Sequence, residues 1–190
     1  MKALAINGSP RKGGNTESML KAVLEPIAAA GIETELIQIG GKPIRGCIAC
    51  GMCAKNQDQK CAIDDGLNDV LAKMWEADAI IIGSPTYFAD VTAETKALLD
   101  RAGYVSFCGD RLLSRKIGAA VAVHRRGGAI HTFDTINHMF QINRMIVPGS
   151  LYWNFAVGRE KGEAVEDAEA LANMADLGET IAFLCEKTRS

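Results

Sequence analysis

The chain has 190 residues, of which 48% are hydrophobic and 23% charged, the balance of a folded globular protein. We expect residues 1–190 to form a single domain, since this length can bury one substantial core. The formal net charge of −2 excludes a general attraction to nucleic acid or to anionic lipid. No apolar run is long enough to span a bilayer, and no signal peptide precedes the first strand pattern. We therefore expect a cytoplasmic protein without nucleic-acid or membrane partners, whose six cysteines are thiols, metal ligands or catalytic groups.

Short apolar runs alternate with amphipathic segments along the whole chain. Most runs are continuously apolar, as in strands that are covered on both faces. The alternation predicts parallel strands joined by right-handed crossovers, and hence a doubly wound α/β sheet with helices on both faces. Ligands of such sheets bind beyond the carboxyl ends of the strands. The five candidate strands are residues 3–6, 35–39, 79–82, 118–123 and 145–147.

The loop at residues 7–16 follows the first strand pattern and leads into a helical pattern. A helix N-terminus offers unpaired N–H groups and partial positive charge, and glycines let the backbone approach a phosphate. Gly8 and Gly13 have the spacing of a P-loop, but Gly14 and Asn15 replace its Lys and hydroxyl, and G-x-G-x-x-G is absent. The alternative is a glycine-rich turn that caps a helix without a ligand. Side chains suited to one terminal phosphate are Ser9, Arg11, Asn15 and Thr16.

Two further loops follow the third and fourth strands and predict a pocket for a flat ring. Residues 83–88 form a proline-stiffened turn with two adjacent aromatic side chains, which can wall a heterocycle. Residues 124–128 combine glycines, which permit close backbone approach, with cations that support an anionic ring or a second nucleotide's phosphate. The alternatives are aromatic side chains that cap the core and a solvated basic turn.

A compact cysteine segment lies between the second strand and the next helix, with the spacing C-x2-C-x2-C-x7-C. Four thiolates this close can hold a [4Fe–4S] cluster or a tetrahedral Zn²⁺. A segment without metal and a C-x-x-C thiol pair remain as alternatives. Further along the chain, Asp100–Arg101 predicts a structural ion pair or an interface contact at the end of a helix. The four candidate metal ligands are Cys47, Cys50, Cys53 and Cys61.

Together these features resemble the flavodoxin-like NADPH-dependent FMN reductase superfamily, in particular its branch of iron–sulfur flavoproteins and FMN-dependent quinone reductases. The resemblance is carried by residues 8–16, the cysteine segment, Asp64–Asp65, Ala77–Asp78, and residues 83–88 and 96–101. It implies a flavodoxin-like FMN-binding domain with a five-stranded sheet in the order 2-1-3-4-5 and a cysteine-rich insertion at about 45–63. It implies that the flavin phosphate is bound by Ser9, Arg11, Asn15 and Thr16. It also implies that the isoalloxazine ring is contacted by Pro85, Thr86, Tyr87, Phe88, His124, Gly127 and Gly128.

The expected function is an FMN-dependent oxidoreductase that moves electrons from NAD(P)H or a reduced carrier to a quinone, a flavin or a similar acceptor. No catalytic side chain is predicted, since hydride chemistry takes place on the flavin. The first alternative is an iron–sulfur flavoprotein that carries electrons through a [4Fe–4S] cluster and FMN, with a ferredoxin-like donor. The second is a zinc-stabilised, non-redox binding module. The resemblance also implies a homodimer or homotetramer.

Overall fold

The computed structural model describes residues 1–188, in which parallel strands alternate with α-helices. The strands are β1 (Lys2–Asn7), β2 (Glu33–Gln38), β3 (Ala79–Pro85), β4 (Ile117–His124) and β5 (Phe155–Val157). The helices are α1 (Asn15–Ala29), α2 (Met52–Asn56), α3 (Leu67–Glu76), α4 (Ala93–Cys108), α5 (Ala129–Ile142) and α6 (Ala168–Lys187). One 3₁₀ turn, Glu163–Glu166, precedes α6.

The sheet is entirely parallel in its strand order β2-β1-β3-β4-β5, which confirms the predicted flavodoxin-like topology. Ala5 of β1 lies opposite Leu36 on one side and Ile81 on the other, and Ile81 in turn lies opposite Ala119. The carboxyl ends of β1, β3 and β4 therefore lie side by side. The loops that follow these three strands meet at one edge of the sheet.

The predicted fifth strand at 145–147 is wrong. Ile146 makes a single parallel bridge to Ile117 at the start of β4, and Pro148 then follows, which has no N–H to continue the pairing. The chain pairs with β4 again only at β5, where Phe155 lies opposite Ala122. The loop that follows the fifth strand at the carboxyl edge of the sheet therefore begins at Gly158.

Helices cover both faces of the sheet, as predicted, and each face has its own apolar core. One core packs α1 and α6 against the sheet, and the other packs α3, α4 and α5 against the opposite face. The contact between α1 and α6 is close, since a Cβ added at Gly178 would lie 2.3 Å from the carbonyl oxygen of Val23. No helix among residues 1–188 is both long and apolar enough to cross a membrane.

Candidate functional site

A cavity of about 280 Å³ opens at the carboxyl edge of the sheet, between the loops that follow β1, β3, β4 and β5. These loops come from separate parts of the chain, and the parallel topology brings them together. The cavity lies where the sequence predicts a ligand site. The predicted residues that line it are Ser9, Arg11, Asn15, Thr16, Pro85, Thr86 and Tyr87.

The loop after β1 is held by its own backbone and by short side-chain contacts. Gly8 donates its N–H to the carbonyl of Gly83, at 2.8 Å, and Ser9 donates its N–H to Asn7 Oδ1, at 2.9 Å. A Cβ at Gly8 would lie 1.9 Å from Thr95 Oγ1, so this close approach requires glycine. The loop ends at α1, whose N-terminus has no side-chain cap. This helix terminus therefore opens toward the cavity with N–H donors and partial positive charge.

Asn15 lines the cavity, and its side-chain amide also bonds the loop after β5. Its Nδ2 donates to the carbonyl of Glu160, at 2.8 Å. Its Oδ1 accepts from the N–H of Gly162, at 2.8 Å, and from that of Ala164, at 3.4 Å. The Asn15 side chain therefore joins the phosphate loop to residues 158–164.

The loop after β5 adds two cations that sequence reasoning missed, Arg159 and Lys161. Arg11 Nη1 donates to the carbonyl of Arg159, at 2.9 Å, and so joins the phosphate loop to this loop. The turn that carries these cations begins with Gly158 and ends with Gly162. This glycine-flanked basic turn was overlooked because the fifth strand was predicted at 145–147. Among residues 1–188, the side chains that line the cavity include four cations and no carboxylate, and the fourth cation comes from the loop after β4.

The turn after β3 places only part of its aromatic pair at the cavity. Tyr87 and Asp90 pair their backbones at 2.8 and 3.1 Å, which closes a tight turn whose central residues have positive φ. Tyr87 lines the cavity, whereas Phe88 is fully exposed and does not. Thr86 is fixed by its N–H to the carbonyl of Val123, at 2.8 Å.

Of the predicted loop after β4, Arg125 lines the cavity, but His124, Gly127 and Gly128 do not. The His124 ring meets Phe155 edge to face at 6.2 Å. Burial lowers the pKa of His124, and the charge of Asp167 acts in the opposite direction. Gly128 has a φ of 85°, and a Cβ there would lie 3.2 Å from Ala89 in the turn after β3.

The four predicted cysteine ligands line a second, smaller cavity, together with Arg101 and Tyr104 of α4. Among residues 1–188, no three His, Cys, Asp or Glu side chains are grouped to hold one metal ion. A zinc site needs four ligands about 2 Å from a single ion, whereas the thiolates of a [4Fe–4S] cluster bind four different irons. The four thiols around one cavity are donors of the type that such a cluster uses. Burial raises the pKa of the Cys53 thiol.

Arg101 lies in the middle of α4 and not at a helix end, and its ion pair is with Asp65, at 2.7 Å. Burial acts to raise the pKa of Asp65, but the guanidinium and the amides of Arg45 and Leu67 outweigh it and hold the pKa below its usual range. No local sequence pattern relates position 65 to position 101, so this ion pair could not be predicted from the sequence. Tertiary packing alone brings this cation next to the cysteine cavity.

Comparisons with known proteins agree with this architecture. The family model for NADPH-dependent FMN reductase matches residues 1–160. The chain belongs to this family. An iron–sulfur flavoprotein of Methanocaldococcus jannaschii is 40% identical over an alignment of 189 residues that covers 96% of this chain and 96% of that one. An iron–sulfur flavoprotein of Methanosarcina thermophila is 36% identical over 194 residues, covering 98% of this chain and 94% of that one.

Solved structures share the fold at low sequence identity. A flavodoxin, WrbA-like protein from Agrobacterium tumefaciens has a TM-score of 0.71 at 16% identity, with 99% of both chains covered. A flavone reductase has a TM-score of 0.76 at 21% identity, covering 99% of this chain and 64% of that one. Family and fold together support a flavin-based electron-transfer oxidoreductase.

Proposed function

We propose that the cavity at the carboxyl edge of the sheet binds FMN. The observation that carries this proposal is the set of four cations around the uncapped N-terminus of α1, in a cavity with an aromatic side chain in its wall. A dianionic phosphate matches this set of donors, because charge-assisted hydrogen bonds and the helix dipole both favour it. Ser9, Arg11 and Thr16, together with Arg159 and Lys161, would hold the phosphate, and a contact from Asn15 stays a prediction.

The remaining residues of the cavity would orient the ring. Pro85, Thr86 and Tyr87 would contact one edge and face of the isoalloxazine, since the turn after β3 fixes them next to the phosphate loop. Contacts from Phe88, His124, Gly127 and Gly128 stay predictions. Bound FMN supplies both one-electron and two-electron chemistry. No side-chain acid or base is assigned to the reaction.

We further propose that Cys47, Cys50, Cys53 and Cys61 hold a [4Fe–4S] cluster. Four thiols around one cavity provide the ligand set, and relatives that match nearly the whole chain are named iron–sulfur flavoproteins. The cluster supplies one-electron transfer. The chain would thus take single electrons from a ferredoxin-like donor and deliver them, through its flavin site, to a quinone, a flavin or a similar acceptor.

The test is electron flow in protein reconstituted without oxygen with FMN, iron and sulfide. We expect a reduced ferredoxin to reduce the bound cofactors quickly and NADPH to do so slowly. Replacing Cys50 by Ala should abolish iron binding and leave FMN affinity unchanged, whereas Cys185→Ala, in the buried core, should change neither. A Cys50→Ala variant that binds iron as the wild type does would contradict the assignment of the ligands.

A second candidate is an NAD(P)H-dependent FMN reductase, which the description of the matching family favours. Fast NADPH oxidation by metal-free, FMN-loaded protein would select this candidate over the carrier. Purified protein that contains stoichiometric zinc and no flavin would instead support the zinc-stabilised, non-redox binding module.

We also propose a homodimer or homotetramer. A groove of about 700 Å³ between α4 and α5 exposes parts of Tyr104, Phe107 and Ile142, and apolar surface of this kind is typical of protein interfaces. Sedimentation equilibrium would measure the assembly, and Phe107→Glu should shift it toward the monomer. A monomeric wild type would contradict this proposal.

A further inference from the structure

The Arg101 side chain is completely buried beside the cysteine cavity, which is an unusual place for a permanent charge. A buried guanidinium is destabilising unless its N–H groups have partners and its charge is matched. The position of each of its five donors therefore shows what the residue does.

All five donors of Arg101 have partners. Its Nε donates to Cys61 Sγ at 3.2 Å. Its Nη1 donates to the carbonyl of Arg45, at 3.1 Å, and to Asp65 Oδ2, at 2.7 Å. Its Nη2 donates to the carbonyl of Ile63, at 2.9 Å, and to Asp65 Oδ1, at 3.0 Å. The pair with Asp65 is bidentate, the geometry that the planar guanidinium favours.

The partners of Arg101 all lie at the two ends of the cysteine segment. Arg45 precedes Cys47, and the other partners are Cys61 and the residues just after it. The ends are also joined to each other, since Arg45 donates its N–H to Asp65 Oδ2, at 2.9 Å. Between these ends the only helix is α2, with five residues and no buried side chain, so the pinned ends carry much of the order of the segment.

We propose that Arg101 is a positioning residue that closes the two ends of the cysteine segment and fixes the sulfur of Cys61 at the cavity. A lysine could place a charge here but could not serve both ends and the sulfur, because it lacks the planar fork. Closure of the segment requires no metal. A second consequence rests on the proposed function: in the iron-loaded protein, the N–H···S bond and the nearby positive charge raise the reduction potential of the cluster.

The first test is hydrogen exchange of residues 45–65 in metal-free protein, measured by mass spectrometry. Charge-assisted hydrogen bonds of this kind predict exchange faster by about tenfold or more in Arg101→Gln, with only partial recovery in Arg101→Lys. Lys96→Met provides the control, because it removes an exposed ion pair of the same helix. Asp65→Asn weakens the bonds of Asp65 to Arg101 and Arg45. This variant replaces Arg101→Gln in the test if Arg101→Gln does not fold. Wild-type exchange rates in a folded Arg101→Gln or Asp65→Asn variant would overturn the proposal.

The second test is the midpoint potential of the iron-loaded variants. We expect a more negative potential in Arg101→Gln than in the wild type, and no change in Lys96→Met. A purely structural role would lower the amount of bound iron and leave the potential of the loaded fraction unchanged, so that result would contradict the inferred effect of Arg101 on the reduction potential. If the wild type takes up no iron, the cluster proposal fails, whereas the exchange test still decides whether Arg101 closes the segment.

Discussion

Replacement of Asn15 by Ala tests how the phosphate loop and the loop after β5 cooperate. The variant loses two hydrogen bonds of 2.8 Å and a weaker one of 3.4 Å. At about 1 kcal/mol for a good hydrogen bond, residues 158–164 lose about 2–3 kcal/mol of local stability. Since this loop carries Arg159 and Lys161, the lost order must be regained when FMN binds. We expect FMN affinity to fall by roughly 30-fold to 140-fold, using about 1.4 kcal/mol for each tenfold.

The assay is titration of metal-free protein with FMN, followed by flavin fluorescence at fixed salt concentration. Ser18→Ala is the matched control, since its hydroxyl donates to the carbonyl of Gly14, the residue that precedes α1, and Ser18 does not line the cavity. Hydrogen exchange of residues 158–164 separates the two interpretations of Asn15. Faster exchange supports the loop-positioning role, whereas weaker FMN binding with unchanged exchange would show a direct phosphate contact. FMN affinity within twofold of that of the wild type would contradict any role of the Asn15 side chain in FMN binding.

Three further predictions concern charge, packing and pH. Lys161→Met should weaken binding of FMN by roughly tenfold and leave riboflavin binding unchanged, because only FMN carries the phosphate; comparative titration checks this. Gly178→Ala should lower the free energy of unfolding by about 1–3 kcal/mol in urea, because the added methyl meets the α1 backbone, whereas Gly149→Ala, in open space, should not. The lowered pKa of Asp65 stabilises the fold above the ordinary value of 3.8, and this contribution disappears as the pH falls through the folded pKa. Urea titrations between about pH 6 and pH 3 should therefore show a smaller loss of stability with acid in Asp65→Asn than in the wild type.

The part of the site predicted from sequence is the part encoded by short-range patterns. A buried strand, a loop with glycines and hydroxyls, and a helix follow one another directly at residues 3–29, so Ser9 and Thr16 could be placed at a helix N-terminus. The turn after β3 was located for the same reason. Whether Phe88 faces the cavity depends instead on the pairing of Tyr87 with Asp90, a detail of the turn that aromatic composition does not encode.

The features that sequence reasoning missed depend on long-range packing. β5 has only three residues, and the apolar run at 145–147 has the same length, so the two could not be distinguished by pattern. Because the fifth strand was predicted at 145–147, the turn that carries Arg159 and Lys161 was not expected at the carboxyl end of a strand. The role of Arg101 depends on contacts with residues 36 to 56 positions away, which no local spacing reveals.

The presence of both cofactors is tested most directly by the visible absorption spectrum, with iron and sulfide analysis, of the wild-type chain purified without oxygen. We expect flavin bands together with broad iron–sulfur absorption, about one FMN, and about four irons and four sulfides per chain. A colourless protein that takes up no FMN when it is titrated would contradict this expectation.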